Sequence, residues 1–287
     1  MQKETARMLI VIAIGLFLEG CGDDFLPPSY LNDLRVIALV SDPVEAGTAD
    51  EVTLTPHLYL PQDDSLTGEV WKFCPFSLGP TSGYQCAVPA CETELFPEPD
   101  GSVRATPGAL AFQCVSELAG GDSPEGVPFE IPEQIDVYFN YQVSTSSGQT
   151  RDAVFKQVLW TQGPPPAPNG SPLFESVEVG GLTISPGETA DPVAESAEVE
   201  FRVHIFPESL DNFIDDSGRS RTEEVIVSFY ASAGRFEFDR SSGVDVSQKW
   251  EAKELEPGQT QADVYLVARD LRGGQAVFGP VFVPLLR

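Results

Sequence analysis

Stretches of strictly alternating apolar and polar residues, found in both halves of the chain, constrain the fold more than any other feature. In residues 198–205, apolar and polar side chains alternate. The apolar residues are Val199, Phe201, Val203 and Ile205, and the polar ones are Glu198, Glu200, Arg202 and His204. Val52 and Leu54 begin a similar stretch in the first half. A side-chain period of two is that of a β-strand with one buried face. Only residues 107–118 and 207–214 could hold a short helix, so the pattern predicts an all-β sandwich fold.

The two halves also end with similar sequence blocks, which indicates an internal duplication. The first contains Asp136-Val137-Tyr138, Gly148-Gln149 and Ala153-Val154-Phe155, and the second contains Asp263-Val264-Tyr265, Gly274-Gln275 and Ala276-Val277-Phe278. Such self-similarity is the sequence signature of repeated structural units. Between the halves, residues 163–170 read GPPPAPNG, and consecutive prolines favour a stiff, extended spacer. The chain is therefore predicted to form two β-sandwich domains in tandem.

The N-terminus predicts export. Lys3 and Arg7 accompany a ten-residue apolar run at positions 9–18, which is typical of a secretory signal peptide and too short to span a membrane. The sequence that follows, Leu18-Glu19-Gly20-Cys21, resembles the bacterial lipobox, with Glu19 as the departure from its pattern. That resemblance implies cleavage before Cys21, modification of this cysteine with diacylglycerol and palmitate, and attachment to the membrane through an N-terminal lipid anchor.

Net charge excludes one class of partner. The chain has 17 Lys and Arg residues against 44 Asp and Glu residues, a formal net charge of −27. Nucleic-acid binding needs a basic footprint, so no nucleic-acid partner is expected. The same charge repels anionic lipid headgroups, so membrane attachment must come from the lipid anchor. Besides the membrane, we expect an envelope protein or a glycan as the partner.

The four cysteines that follow Cys21 predict disulfides. Cys74, Cys86, Cys91 and Cys114 all lie in the first half. In an exported protein an even number of cysteines favours disulfide bonds. Zinc is the alternative, but the sequence has no C-x-x-C pair and no histidine near these cysteines. Three connectivities are possible, and we favour Cys74–Cys86 with Cys91–Cys114 because each closes a short local loop.

Two blocks carry a resemblance to known families. Val267-Ala268-Arg269-Asp270-Leu271-Arg272-Gly273-Gly274 is similar to the V-x-V-x-D-x-x-G-G hairpin that closes bacterial immunoglobulin-like domains of the PKD/Big type. Trp71, Phe73 and Phe229 lie where such domains place core aromatics. Residues 71–80 resemble the W-x-x-C-P-F-S-L-G-P block of envelope lipoproteins from myxobacteria and their relatives. The resemblance implies an immunoglobulin-like fold in both halves and an outer-membrane lipoprotein on the periplasmic face or at the cell surface; it implies no activity.

These observations give a division of the chain. We expect a signal peptide at 1–20, a tether at 21–31, and a disulfide-containing immunoglobulin-like sandwich at 32–162 with an insertion from about 75 to 128. A proline-rich linker at 163–170 would lead to a second immunoglobulin-like sandwich at 171–287.

No residue is assigned a catalytic role. Gly121-Asp122-Ser123-Pro124 is similar to the Gly-Asp-Ser around a serine nucleophile, but its turn-forming surroundings indicate an ordinary loop. A nucleophile needs a base nearby, and the two histidines, His57 and His204, lie in predicted strands of different halves. Asp211, Asp215 and Asp216 are weak candidates for a calcium site, because calcium favours oxygen ligands on loops, but their spacing departs from the EF-hand pattern.

Two functions compete for such a chain. One is a non-catalytic binding or scaffold role with a protein or glycan ligand. The alternative is a structural spacer or an accessory subunit of an envelope export or motility assembly. An exposed aromatic strip would favour glycan binding, and a long apolar sheet edge would favour assembly.

Overall fold

The computed structural model describes residues 27–119, 132–165, 168–214 and 217–286. The predicted signal peptide, the predicted lipidation residue Cys21 and the two acidic residues Asp215 and Asp216 lie outside these ranges, so the expectations about them stay predictions. Within the described ranges, the helical segments are too short or too polar to cross a membrane.

A sandwich of two sheets fills the first half. Its strands are β1 (Arg35–Asp42), β2 (Glu45–Gly47), β3 (Val52–Tyr59), β4 (Leu66–Cys74), β5 (Thr93–Leu95), β6 (Val103–Ala105), β7 (Gln134–Thr145) and β8 (Thr150–Trp160). One sheet has the order β1-β3-β6 and the other β2-β8-β7-β4-β5. Strand β2 runs parallel to β8, and the other pairs are antiparallel.

The second half repeats this architecture. Its strands are β9 (Phe174–Val179), β10 (Leu182–Ile184), β11 (Val193–Ala194), β12 (Glu198–Ile205), β13 (Asn212–Ile214), β14 (Ser220–Thr222), β15 (Ile226–Ala231), β16 (Arg235–Phe236), β17 (Arg240–Ser242), β18 (Asp245–Glu251), β19 (Gln261–Arg269) and β20 (Gln275–Leu286). The sheet β10-β9-β12-β18-β16 faces the sheet β11-β20-β19-β15-β17, and β13-β14 form a separate hairpin.

The two sandwiches share one strand order. Strands β1-β3-β6 correspond to β9-β12-β18, and β2-β8-β7-β4-β5 correspond to β11-β20-β19-β15-β17. In each sandwich a short strand, β2 or β11, joins the last strand in parallel. This is the order of an immunoglobulin-like sandwich, so the predicted all-β fold with two such sandwiches in tandem is confirmed.

The repeated sequence blocks occupy corresponding strands. Asp136-Val137-Tyr138 lies on β7 and Asp263-Val264-Tyr265 on β19. The alternation places Val137 and Val264 in the two cores, both fully buried, while the tyrosines that follow point to the outer faces of their sheets. Tyr138 and Tyr265 are therefore equivalent positions, and so are Asn140 and Val267, which follow two residues later.

The two cores contain the expected aromatics. Trp71, Phe73 and Phe229 are fully buried, as the resemblance implies. Trp71 stacks on Tyr141 with 4.4 Å between ring centroids and donates its Nε1–H to the carbonyl of Gly101. Trp250 of β18 fills the second core and donates to the carbonyl of Ala233. Each buried indole thus has its donor satisfied, as burial of a polar group requires.

Two expectations about connecting segments need correction. The predicted insertion at about 75–128 is not a block outside the sheets, because it contains β5, which pairs with β4, and β6, which pairs with β3. The helix expected at 107–118 is present as α1 (Pro107–Ala119). The segment 207–214, also expected to hold a short helix, contains only a 3-10 turn, Pro207–Ser209. No longer helix forms because the residues that follow belong to β13, which pairs with β14.

An apolar junction joins the sandwiches side by side. Ile37 and Ala38 of β1 and Tyr59 of β3 pack against Tyr265 and Val267, on the outer face of β19. Tyr59 and Tyr265 meet edge to face with 6.3 Å between ring centroids. The proline-rich segment therefore does not hold the sandwiches apart as a spacer would.

Polar contacts complete the junction at the β19–β20 hairpin. Arg272 forms ion pairs with Glu45 of the first sandwich at 2.9 Å and with Glu223 of the second at 3.1 Å, and both carboxylates are buried. Arg269 donates to the carbonyl of Ile37, and Gln275 donates to that of Leu39. The hairpin that sequence resemblance singled out thus contacts the first sandwich through three long side chains.

Candidate functional site

The disulfides lie beside a grooved surface of the first sandwich. The structure pairs Cys74 with Cys86 and Cys91 with Cys114, which is the connectivity that the loop lengths favoured. The first bond closes a loop at the end of β4, and the second ties a 3-10 turn, Pro89–Cys91, to α1. Both bonds therefore lie beside the five-stranded sheet of the first sandwich.

The outer face of that sheet forms a groove of about 570 Å³, here called the tyrosine groove. The lining side chains come from β4, β7 and β8, where Lys72 pairs in register with Asn140, and Asn140 with Val154. Val70, Gln142 and Asp152 form the neighbouring row. Tyr84, Gln85 and Glu92 of the disulfide-bonded segments close one side of the groove.

Tyr84 reaches the sheet through a tight, strained turn. The loop folds back as Ala87 donates its backbone N–H to Phe76 and Leu78 donates to Gln85. Tyr84 itself has a φ of 57°, in the left-handed region that non-glycine residues rarely adopt. Such a conformation costs on the order of 1–2 kcal/mol and persists only where surrounding contacts impose it. Here the Cys74–Cys86 bond and the backbone bonds impose it.

The strained turn sets one tyrosine against another. The rings of Tyr84 and Tyr138 lie 5.6 Å apart at 35°, a tilted stack in which both rings stay partly exposed. Burial raises the pKa of the Tyr138 hydroxyl, and the charge of Asp136 adds to the effect. The hydroxyl therefore stays protonated at neutral pH and can donate a hydrogen bond.

The charges around the groove are mostly paired. Lys72 contacts Glu92 at 2.6 Å, and this hydrogen bond raises the pKa of the Lys72 ammonium. Lys156, beyond the groove, pairs with Asp136 at 3.3 Å. Asp152 accepts a hydrogen bond from Gln142 at 2.8 Å. The charged lining residues, one lysine and two acids, leave the groove slightly negative.

Three polar groups at the groove remain available. The amides of Asn140 and Gln85 and the hydroxyl of Tyr84 make no side-chain hydrogen bond with any other residue in the described ranges. A carboxamide both donates and accepts, so these groups suit a ligand that does the same. The groove thus combines an aromatic surface with unpaired hydrogen-bonding groups.

Of the three candidate calcium ligands, Asp211 is the one within the described ranges. Asp211 accepts a hydrogen bond from the backbone N–H of Gly170 at 3.0 Å, and its own N–H donates to Glu223. Asp215 and Asp216 lie outside the described residues. Among the residues that are described, no three His, Cys, Asp or Glu side chains form a group that could hold a metal ion.

The two histidines lie in different sandwiches. His57 is on β3, where burial lowers the pKa of its imidazole. His204 of β12 faces Ser176 of β9 on one side and Asp245 of β18 on the other, a row that sequence spacing did not reveal. His204 Nδ1 lies 2.6 Å from Asp245. The Asp245 side chain is 74% exposed, so water reaches these three residues freely. An open row of this kind gives no support to hydrolytic chemistry.

No family model matches the chain, and no curated protein matches it either. Solved structures with some likeness include the D00-D0 domain of intimin, at 9% identity over 89% of this chain and 99% of that one, with a TM-score of 0.22. Fibronectin(III)-like modules of Clostridium thermocellum CbhA give 8% identity, 88% and 94% coverage and a TM-score of 0.24.

A third such structure is the N-terminal Ig1-2 module of the Drosophila receptor protein tyrosine phosphatase DLAR. It is 9% identical, covers 89% of this chain and 100% of that one, and has a TM-score of 0.27. TM-scores this far below 0.5 do not show a common fold, whereas the strand order of both sandwiches is that of an immunoglobulin-like fold.

Proposed function

We propose that the chain is a lipid-anchored protein of the bacterial cell envelope that binds a protein or glycan ligand through the tyrosine groove and catalyses no reaction. Anchoring through Cys21 rests on the lipobox resemblance, and we place the protein as an outer-membrane lipoprotein, at the periplasmic face or the cell surface. The observation that carries the binding role is Tyr84, which is held in a strained backbone conformation over Tyr138. Strain of this kind concentrates at functional sites.

The alternative, a structural spacer or accessory subunit, has less support from the geometry. A spacer gains length when its domains lie end to end, whereas these sandwiches lie side by side through β1 and β19. Strand β1 has eight residues, and Arg269 and Gln275 cover two of its carbonyls. In the described part of the chain the other edge strands have two or three residues each, and the edge of β8 that β2 leaves uncovered carries Arg151, Asp152 and Lys156, charges of the kind that discourage recruitment of a partner strand.

Retention on envelope material tests the binding role. The full-length protein is incubated in detergent with the insoluble envelope fraction of the producing cells, from which lipids have been extracted, and its sedimentation is measured. Tyr84→Ala should weaken retention by roughly tenfold, the effect of removing an aromatic anchor from a binding surface. Phe238→Ala, which removes an exposed aromatic ring from the second sandwich, should change nothing. Equal retention of wild type and Tyr84→Ala would place the ligand elsewhere.

A separate experiment tests the anchor. Cells that produce the wild type are expected to incorporate labelled palmitate into the protein, and Cys21→Ser should abolish both the label and fractionation with membranes. A Cys21→Ser variant that remains with membranes would show that the attachment does not depend on this lipid.

A further inference from the structure

The chemistry of the tyrosine groove selects among ligand classes, and we infer that its ligand is an uncharged glycan. The inference rests on the proposed binding role of the groove and goes beyond it, since that role leaves protein and glycan ligands open. The volume of about 570 Å³ lies within the range of small-ligand sites, roughly 300–1,000 Å³. A short run of sugar units therefore has room in it.

The electrostatics of the groove argue against an anionic ligand. Lys72, the cation that lines the groove, is engaged by Glu92 at 2.6 Å, and Asp152 adds a second acid. The chain as a whole carries a net charge of −27, which repels polyanions before they reach the surface. A phosphate or uronate ligand would meet no free cation here and two carboxylates.

The same groups give a cationic ligand little to bind. Glu92 is paired with Lys72, and Asp152 accepts a hydrogen bond from the Gln142 amide. Among the described residues, Asp152 is thus the one acid of the groove whose charge no cation offsets, since the Gln142 amide is neutral. A basic peptide would find a single such carboxylate and would leave the aromatic ring and the amides of the groove unused.

The backbone around the groove argues against an extended peptide. Peptides that bind by strand addition pair with the free N–H and C=O groups of a sheet edge, in the plane of the sheet. Strand β7 has a neighbour on both sides, and the uncovered edges of β4 and β8 lie at the sides of the sheet, because β5 pairs with β4 only at 71–73 and β2 pairs with β8 only at 158–160. The groove lies on the face of the sheet and presents side chains.

Those side chains match a sugar. The partly exposed ring of Tyr84 lines the groove and is supported by its stack on Tyr138, so it gives an apolar surface with a hydroxyl at its edge, and a pyranose ring has an apolar C–H face with hydroxyls around it. The unpaired amides of Asn140 and Gln85 can donate to and accept from sugar hydroxyls. An uncharged glycan thus satisfies the aromatic surface and the polar groups without disturbing the ion pair.

Direct binding measurements test the inference. The full-length protein in detergent is titrated with cellohexaose, hexa-N-acetylchitohexaose and a neutral dextran, with polygalacturonate as the anionic probe and hexalysine as the cationic one. At least one neutral glycan should bind, with no measurable binding of the two charged probes. Tyr84→Ala should weaken that binding by roughly tenfold, Tyr84→Phe should keep it within a few-fold, and Phe238→Ala should leave it unchanged.

Other outcomes separate this inference from the proposed function. If none of the neutral glycans binds, or if a charged probe binds more tightly in a Tyr84-dependent way, the glycan inference is overturned. Tyr84-dependent retention on envelope material would then still support the groove as a binding site for another ligand. Loss of Tyr84 dependence in both experiments would overturn the binding role itself.

Discussion

The two sandwiches use the same sheet face in opposite ways. Tyr138 and Asn140 on β7 form part of an open face, while the equivalent residues on β19, Tyr265 and Val267, are covered by the first sandwich. Tyr138 stacks with Tyr84 of a disulfide-bonded loop, and Tyr265 meets Tyr59 across the junction. The solvated face of β7 has an asparagine, Asn140, at the position where the buried face of β19 has a valine, Val267. A duplicated fold can therefore keep its core while its outer faces diverge.

Disulfides mark the second difference, and their removal should have the largest effect. The two bonds close loops with sequence separations of 12 and 23 residues. In the chain-entropy model each contributes about 3 kcal/mol to stability. Converting all four cysteines to serine should therefore strongly destabilise the first sandwich, and hydrogen exchange of the full-length protein will report where protection is lost.

The exchange pattern tests how far the sandwiches act as independent units. Amides of β4 and β7 should lose protection most, amides of β19 should lose part of it because β19 packs on the first sandwich, and amides of β12 should lose least. Uniform loss across both sandwiches would mean that they unfold as one cooperative unit. Unchanged protection of β19 would mean that the junction contributes little.

The second prediction concerns the ion pairs at the junction. Arg272→Met leaves the buried carboxylates of Glu45 and Glu223 without their shared cation, and loss of one partner from a buried pair costs roughly 3 kcal/mol. Urea unfolding at pH 7 measures this change. Arg240→Met, at an exposed residue of β17, is the matched control and should change stability little.

The Arg272→Met cost should depend on pH. Burial raises the pKa of Glu223 above its ordinary value, and Arg272 acts against that rise. A carboxyl whose pKa is higher in the folded state than in the unfolded state lowers the free energy of unfolding. This destabilisation is complete above the folded-state pKa, and it disappears as the pH falls to the unfolded-state pKa. Removing Arg272 raises the pKa further, so the difference between variant and wild type should shrink between pH 7 and pH 5. An equal difference at both pH values would show that the cost is one of lost packing.

The third prediction exchanges the equivalent outward residues. Val267→Asn buries an amide in the apolar junction and should cost roughly 2 kcal/mol. Asn140→Val should change stability by less than about 0.5 kcal/mol, because the residue lines an open groove, while it removes one polar group from the groove. Urea unfolding measures both variants. Similar costs at the two positions would contradict the contrast between an open face and a covered one.

Sequence patterns were sufficient for most of the fold. Alternation along 198–205 predicted β12, the repeated Asp-Val-Tyr blocks predicted equivalent strands, and loop length favoured the observed disulfides. These features are local, because they depend on residues close together in the chain. The same patterns did not reveal the groove or the junction, since both arise where distant segments meet.

Two signals could have pointed to these surfaces. Val267 is an apolar residue at an outward position of its strand, where Asn140 stands in the other repeat, and such a residue predicts a face covered on both sides. Tyr84 follows Gly83 inside a short loop between two cysteines, which indicates an aromatic ring held near a strand end. Neither signal identifies the surface that the residue contacts, because the residues on the other side, Tyr59 at the junction and Tyr138 beneath Tyr84, come from segments distant in the sequence.

The smallest predicted effect isolates the strain at Tyr84. Glycine adopts a φ of 57° without the steric cost that a Cβ brings, so Tyr84→Gly should be more stable than Tyr84→Ala by about 1 kcal/mol. Both variants remove the ring, and both should lose retention on envelope material equally. At Phe238, an exposed residue of the second sandwich whose φ is not positive, the order should reverse, with alanine more stable than glycine by about 0.5–1 kcal/mol. Urea midpoints of the four variants measure both differences. If alanine were the more stable residue at both positions, the Tyr84 backbone would be unstrained, and the ring would owe its position over Tyr138 to side-chain packing alone.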